Sequence, residues 1–470
     1  MEEREALAVA DGIAARKKAI PSHRRRREAG AGPKVAVVGS GPAGLFAALT
    51  LAEKRIPVLL LERGKEVSAR CRDVQAFWEK GELNGESNVH FGEGGAGAFS
   101  DGKLTSRIKN PRIRLVKETL VESGAPADIL SDAKPHIGTD RLREVVKNFR
   151  ERLLDLGCEI RFGARVSDFL IHGGRVAGIV VNGEEEIRVD RLILAMGQNA
   201  EDTYAKLRER GVQLEPKPFA MGLRVEHPQA LINEIQYGKW RLDPALPPAD
   251  YFLTAGVKHT DRSVYTFCMC PGGRIIGCSS EPGRVVTNGM SRSARDGLYA
   301  NSAVVVNVRT GDFLGTPQEP LKGLEFRRRW EEKAFFLGGG NYYAPVQRLP
   351  DFLQDRGSEK LLSASFLPGI QAASLRDALP EFVTEALQEG LRLFDRKMPG
   401  FITEEAMLVG VETRTSSPVR ILREANGQSV GTAGLYPCGE GAGYAGGIIS
   451  SAQDGIRAAE SLMASLAGHL

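Results

Sequence analysis

The stretch Lys34-Val35-Ala36-Val37-Val38-Gly39-Ser40-Gly41-Pro42-Ala43-Gly44 decides the fold. Four apolar residues are long enough for a fully buried strand, and they run straight into glycine. Residues 42–54 have helix composition, with Pro42 suited to a first helical turn. Pro57-Val58-Leu59-Leu60-Leu61 then supplies a second buried strand, closed by Glu62. Strand, glycine turn, helix and strand in this order make a βαβ unit, and hence a parallel sheet covered by helices.

Within the turn, Gly39, Gly41 and Gly44 form a GxGxxG. Gly39 permits the tight turn, Gly41 lets the backbone approach a pyrophosphate, and Gly44 lets helix pack closely on strand. The helix N-terminus that opens at Pro42 supplies free N–H donors from Ala43 onward, and partial positive charge. Glu62 is placed to accept from a ribose hydroxyl. Its charge suits a free 2′-hydroxyl and repels a 2′-phosphate, so FAD or NAD is expected rather than NADP.

The end of the chain separates those two. Gly434-Leu435-Tyr436-Pro437-Cys438-Gly439-Glu440-Gly441-Ala442-Gly443 is again a strand entering a glycine loop, and Gly446-Gly447-Ile448 opens a helix over about 450–466. An NAD-only enzyme needs no such return. Glu440 is expected to bind the ribityl or pyrophosphate portion of FAD, and the last helix to aim its N-terminus at the flavin N1/O2 edge. A second glycine-dense loop, residues 88–105, can lay backbone amides along phosphate or flavin at Gly95, with Lys103 adding positive charge.

Outward from these motifs, the spacing predicts helices near 66–80 and 139–156 (Thr139 as cap) and strands over 158–163, 166–172, 175–182 and 192–195. The middle of the chain reads as an inserted domain. The division is a basic segment 1–32, an FAD-binding domain 33–215, a substrate domain 216–400 and a C-terminal return 401–470. The fold class is α/β, a Rossmann-like domain with a parallel central sheet interleaved with a second, α+β substrate domain.

Composition sets the exclusions. The net charge is +4, and beyond residue 30 basic and acidic residues nearly cancel at 55 against 54, so no broad nucleic-acid footprint exists. Arg24-Arg25-Arg26-Arg27 is a local basic run. No apolar stretch is long enough to span a membrane. Six cysteines show no paired framework, which favours a reducing compartment and a cytoplasmic location. His90, His136 and His227 have no metal spacing, and no metal is expected.

The motifs FGEGGAGAFSDGKL (91–104), KPFAMGLRVEHPQ (217–229), FCMCPGG (267–273), VVTNGMS (285–291), GVETRTSSPVR (410–420) and GLYPCGEGAGYAGGI (434–448), with the first fingerprint, resemble the uncharacterised FAD-dependent dehydrogenase family over about residues 33–465. The resemblance implies a flavoprotein with one nucleotide-binding domain. It also implies adenine-side contacts at Arg63, Val166 and Gly197. Longer members carry a further N-terminal domain, where here a short basic segment precedes Pro33.

On the substrate side, Arg414 with Glu412 sits shortly before the return strand, where an arginine can hold a carboxylate or polarise a carbonyl. An ion pair joining the two domains is the competing reading of Arg414. Lys103 is a third candidate for the catalytic set. Cys268 and Cys270 would share one strand face, which suggests redox chemistry. A disulfide between such close neighbours is strained, so packing as small hydrophobes is the favoured reading. Tyr342, Tyr343 and Gln347 are candidates to line the pocket. The expected activity is hydride transfer between a small-molecule substrate and FAD, with the external electron donor or acceptor open. The alternatives are an ene-reductase or a flavin-containing RNA-modifying or RNA-binding protein.

Overall fold

The computed structural model describes residues 35–105 and 110–467. The basic segment 1–32, with Arg24–Arg27, lies outside the described residues.

Val35–Val38 is the central strand of a five-stranded parallel sheet. The order is Leu435–Pro437, Arg191–Leu194, Val35–Val38, Val58–Leu61 and Glu159–Arg161. The strand is apolar throughout because both faces are covered. Val35 and Val37 face a core shared with helices Pro42–Glu53, Thr139–Asp155 and Ile448–Ala467. Ala36 and Val38 face the other way, onto the antiparallel sheet Val166–His172, Arg175–Val181 and Glu185–Arg188. The return of the chain is thus a structural fact: Leu435–Pro437 is an edge strand of the sheet begun four hundred residues earlier.

The inserted domain is built on an eight-stranded mixed sheet, in which Thr254–Val257, Arg262–Gly277, Tyr299–Val308, Phe219–Pro228, Met407–Glu412, Ala344–Arg348 and Ile370–Ala372 follow one another. Thr287–Ser291 pairs alongside Arg262–Gly277. Helices Lys322–Leu337 and Glu381–Lys397 contribute Trp330, Ala334, Leu387 and Phe394 to its core. The boundary expected at residue 400 moves. Met407–Glu412 is wholly buried between Phe219–Pro228 and Ala344–Arg348, so the domain continues through Glu412. A two-stranded joint, Leu214–Pro216 with Val419–Ile421, lies where the chain leaves one domain and comes back to it.

Two local expectations change. The N-cap of Thr139–Asp155 is Gly138, at φ 86°, while Thr139 Oγ1 donates to Ala98 O at 2.9 Å and ties the helix to the glycine-dense loop. Helix Pro111–Glu122, capped by the Asn110 side chain on Arg112 N, was not foreseen.

Candidate functional site

A cleft of about 600 Å³ runs between the two domains. Gly39, Gly41, Pro42 and Ala43 line it from the first turn, and Glu62, Arg63, Val166 and Gly197 from the neighbouring strand ends. Gly95 and Lys103 line it from the glycine-dense loop, and Gly439, Glu440, Gly447 and Ile448 from the return. Of the expected cofactor contacts, only Gly44 is not on the wall. A Cβ there would stand 1.8 Å from Gly39 O, so its role is the close packing of helix on turn. Gly39 has φ 98°, open to glycine and strained for other residues.

The helices Pro42–Glu53 and Ile448–Ala467 both begin at the cleft, bringing two positive dipole ends to one cavity. Asp454, one helical turn and more inside the second, accepts from Gly439 N at 2.8 Å and pairs with Arg423. It fixes the glycine loop to its own helix. The loop at 88–105 is held as firmly. The fully buried Arg70 guanidinium donates to Asn88 O, Val89 O, Gly92 O and Glu93 O. An open surface loop would not spend a buried arginine on its carbonyls.

Glu62 accepts from Ser40 N at 2.9 Å, Ser40 Oγ at 2.7 Å, Gly64 N at 2.9 Å and Gly92 N at 3.0 Å. It joins the two glycine loops, and a ribose hydroxyl would have to share these acceptor positions. Arg63 lies over the Phe91 ring at 4.1 Å and pairs with Glu86 and Asp202. Among the described residues the Glu440 carboxyl receives one hydrogen bond, from Gln198 Nε2 at 3.1 Å, and burial pushes it up to about 7.

The candidates on the substrate side behave differently. Arg414 donates to Glu331 from Nε (3.0 Å) and Nη2 (2.7 Å), to Glu281 from Nη2 (2.7 Å), and to Asn199 and Ser280 from Nη1. All five of its N–H bonds are used inside the protein, so the expected anion clamp gives way to the domain tie. Glu412 is likewise committed, with Arg224 Nε and Nη2 each at 3.0 Å and Thr287 Oγ1 at 3.0 Å. Lys103 Nζ binds Asp101 Oδ2 at 2.5 Å and the Met269 carbonyl, leaving its third N–H uncommitted among the described residues. Burial alone would lower its pKa, but the sulfurs of Cys270 and Cys268 and the Asp101 carboxylate raise it, so it stays a cation.

Tyr342 packs against Phe77 and Phe335, and Gln347 binds Arg356 O and Leu375 N, both away from the cleft. Tyr343 does not line the cleft either. Gln198, Asn199, Phe267 and Asn288 line it and were missed. His90 lines it too, and burial and nearby arginines keep its imidazole neutral. Among the described residues no cluster suits a metal ion, and no helix is long and apolar enough to cross a membrane.

The site fits FAD on its own geometry. Side chains built at Gly197 or Gly446 would meet no protein atom within 4 Å, so these positions border open cleft. The walls combine backbone donors, helix N-termini and a buried carboxyl, the donor set a flavin dinucleotide requires.

A family described as FAD-dependent protein, C-terminal domain-like, matches residues 218–415, and an NAD(P)-binding Rossmann-like domain matches residues 37–100. An uncharacterized protein of Clostridium beijerinckii is 51% identical over 429 residues, covering 91% of this chain and 80% of that protein. The FAD-dependent monooxygenase nodY2 of Hypoxylon pulicicidum is 30% identical over 261 residues, covering 53% of this chain and 54% of that one. Among solved structures, the glycerol-3-phosphate dehydrogenase of Bacillus halodurans complexed with FAD aligns over 97% of this chain and 68% of its own, at 12% identity and a TM-score of 0.40.

Fold and cleft together define a flavoprotein oxidoreductase with a Rossmann-like nucleotide-binding domain, and its cofactor is FAD. The chain belongs to the family of FAD-dependent proteins that share this C-terminal domain.

Proposed function

We propose that this chain is a dehydrogenase that moves a hydride between a small-molecule substrate and FAD in the interdomain cleft. The supporting observation is the continuity of the wall. The residues fitted to FAD (Gly41, Gly95, Glu440, Gly447) and residues of the inserted sheet (Phe267, Asn288) line one cavity. FAD, when bound, supplies the two-electron chemistry, and the protein supplies position and electrostatics.

Gly41 and Gly95 admit the pyrophosphate at the first helix N-terminus. Glu440 would accept from a hydroxyl of the ribityl portion, and the helix starting at Ile448 would favour negative charge on the flavin. Lys103, which keeps one N–H uncommitted among the described residues, is a cation available to a substrate anion where Arg414 is not. Arg414 and Glu412 hold the two domains and the inserted wall in register. The six cysteines are free thiols, in keeping with a cytoplasmic, reducing setting.

Anaerobic mixing of the purified protein with NADH, NADPH and a metabolite panel tests this by following flavin absorbance. Bleaching by an oxidisable metabolite supports a dehydrogenase. Bleaching by a nicotinamide alone, followed by reoxidation with an unsaturated compound, would replace it with an ene-reductase.

A further inference from the structure

The strand Arg262–Gly277 loses register with Tyr299–Val308 twice, between Phe267 and Cys270 and between Cys270 and Gly273. At the first break Cys268 takes φ 49°, a left-handed conformation that costs a non-glycine residue on the order of 1–3 kcal/mol. Two cations hold the bulge in place: Lys103 Nζ on the Met269 carbonyl, and Arg224 Nη1 on the Cys268 carbonyl at 3.3 Å. Without the break, both cysteines would face one side of the sheet. With it, Cys268 joins the wall of the cleft beside Asp101 and Lys103, while Cys270 is fully buried behind it, its Sγ 3.3 Å from Cys268 O. The four remaining cysteines are absent from the cleft wall.

We propose that Cys268 and Cys270 are a redox-active dithiol, Cys268 the attacking thiol and Cys270 the resolving one, that passes two electrons from reduced FAD to a small-molecule disulfide. The environment suits the roles. Hydrogen bonding from Cys270, with the charges of Lys103 and Arg224, pushes the Cys268 thiol down to about 6, against burial and the nearby Asp101 carboxylate. Cys270 is held well above the usual thiol range by its hydrogen bond with Cys268 and by burial. A thiolate on the accessible member and a thiol on the buried one is the polarity that exchange requires.

The Cys268 thiolate attacks one sulfur of the disulfide. A new S–S bond forms, the old one breaks, and the departing thiolate takes a proton. Cys270 then gives up its proton and attacks the Cys268 sulfur, which expels the second thiol and closes an intrachain disulfide. Two electrons and two protons, with reduced FAD as their source, reopen it. The net change is one disulfide reduced to two thiols. The strain of closing sulfurs two residues apart opposes closure and favours the reopening by reduced FAD, because strained disulfides are the more easily reduced ones.

The proposal rests on the cleft being the FAD site, and the test separates the two. The probe is the chromogenic disulfide dithiobis-nitrobenzoate on holoprotein carrying Cys71→Ser, which removes the other half-buried thiol. Expected is release of about two chromophores per chain with no adduct retained and a mass lower by about 2 Da. The oxidised protein then takes up about four electron equivalents from dithionite, two beyond the flavin alone. Adding Cys270→Ser should release about one chromophore per chain and leave a lasting adduct at Cys268, so that the mass rises instead of falling. A lasting adduct at Cys268 with Cys270 intact, or no uptake beyond the flavin, overturns the dithiol. A colourless protein that still forms the intrachain disulfide would instead overturn the FAD site.

Discussion

Arg414 and Glu331 meet through two parallel contacts, Nε to Oε1 at 3.0 Å and Nη2 to Oε2 at 2.7 Å, with both side chains almost wholly buried. Glu331 lies on the helix Lys322–Leu337 of the inserted domain, and Arg414 lies just past its last central strand. Asn199, from the nucleotide-binding domain, accepts from the same guanidinium at 3.1 Å. The pair is therefore a joint between domains.

Removing that joint should cost stability before it costs chemistry. Arg414→Ala takes from the buried Glu331 its two-point partner and leaves it, among the described residues, only the more distant Arg327 at 3.8 Å as a cation, and breaking a buried pair this way costs about 3–5 kcal/mol. Denaturant unfolding of the holoprotein measures it. An unchanged midpoint with lost turnover would return Arg414 to the substrate.

Two glycines three residues apart should fail differently. A Cβ at Gly41 would have Gly95 Cα as its nearest protein neighbour outside its own turn, at 3.8 Å, and Gly41 lines the cleft wall. Gly41→Ala should thus fold normally and weaken FAD binding by about tenfold or more. Gly44→Ala drives its Cβ against Gly39 O and should destabilise the fold itself, by on the order of 1–3 kcal/mol. Flavin content and thermal unfolding of the two variants, measured side by side, distinguish these outcomes.

Glu440 makes stability depend on pH. Burial raises its carboxyl from 4.5 to about 7, with Lys217, Arg327 and the Gln198 hydrogen bond pulling the other way. The folded protein therefore holds a proton that the unfolded chain has released over this window. The stabilisation is full below 4.5 and is lost as pH rises through about 7. Glu226, raised in the same way, adds a parallel dependence. Unfolding of flavin-free protein at pH values across the window should show a shallower decline in Glu440→Gln than in the wild type. Equal slopes would mean that Glu440 keeps its charge when folded.

The sequence carried the parts of the site that are local. Val35–Val38, the GxGxxG and Glu62 are legible because a turn, a helix start and a strand end each leave a pattern within a few residues. The return at Gly439–Ile448 is legible for the same reason, as is the βαβ topology. What failed depends on partners distant in the chain. Nothing near Arg414 announces Glu331 or Asn199, so an anion clamp and a domain tie stood open until the fold brought those partners in. Arg70 carries no local mark of its role, because the carbonyls it binds belong to the glycine loop that begins at Asn88. Alternation placed Cys268 and Cys270 on one face, and only the register break in Arg262–Gly277 separates them. The boundary at 400 missed because Met407–Glu412 is apolar enough for either sheet, and pairing alone assigns it.

The central claim is that FAD sits against the first turn, the glycine-dense loop and the return at once. Amide hydrogen exchange of the protein with and without FAD tests it most directly, since each of those segments offers backbone amides to the cleft. Adding FAD should slow exchange in three separate stretches, 40–45, 92–98 and 440–449. Protection confined to one of them, or appearing instead on the far side of the inserted sheet, would contradict it.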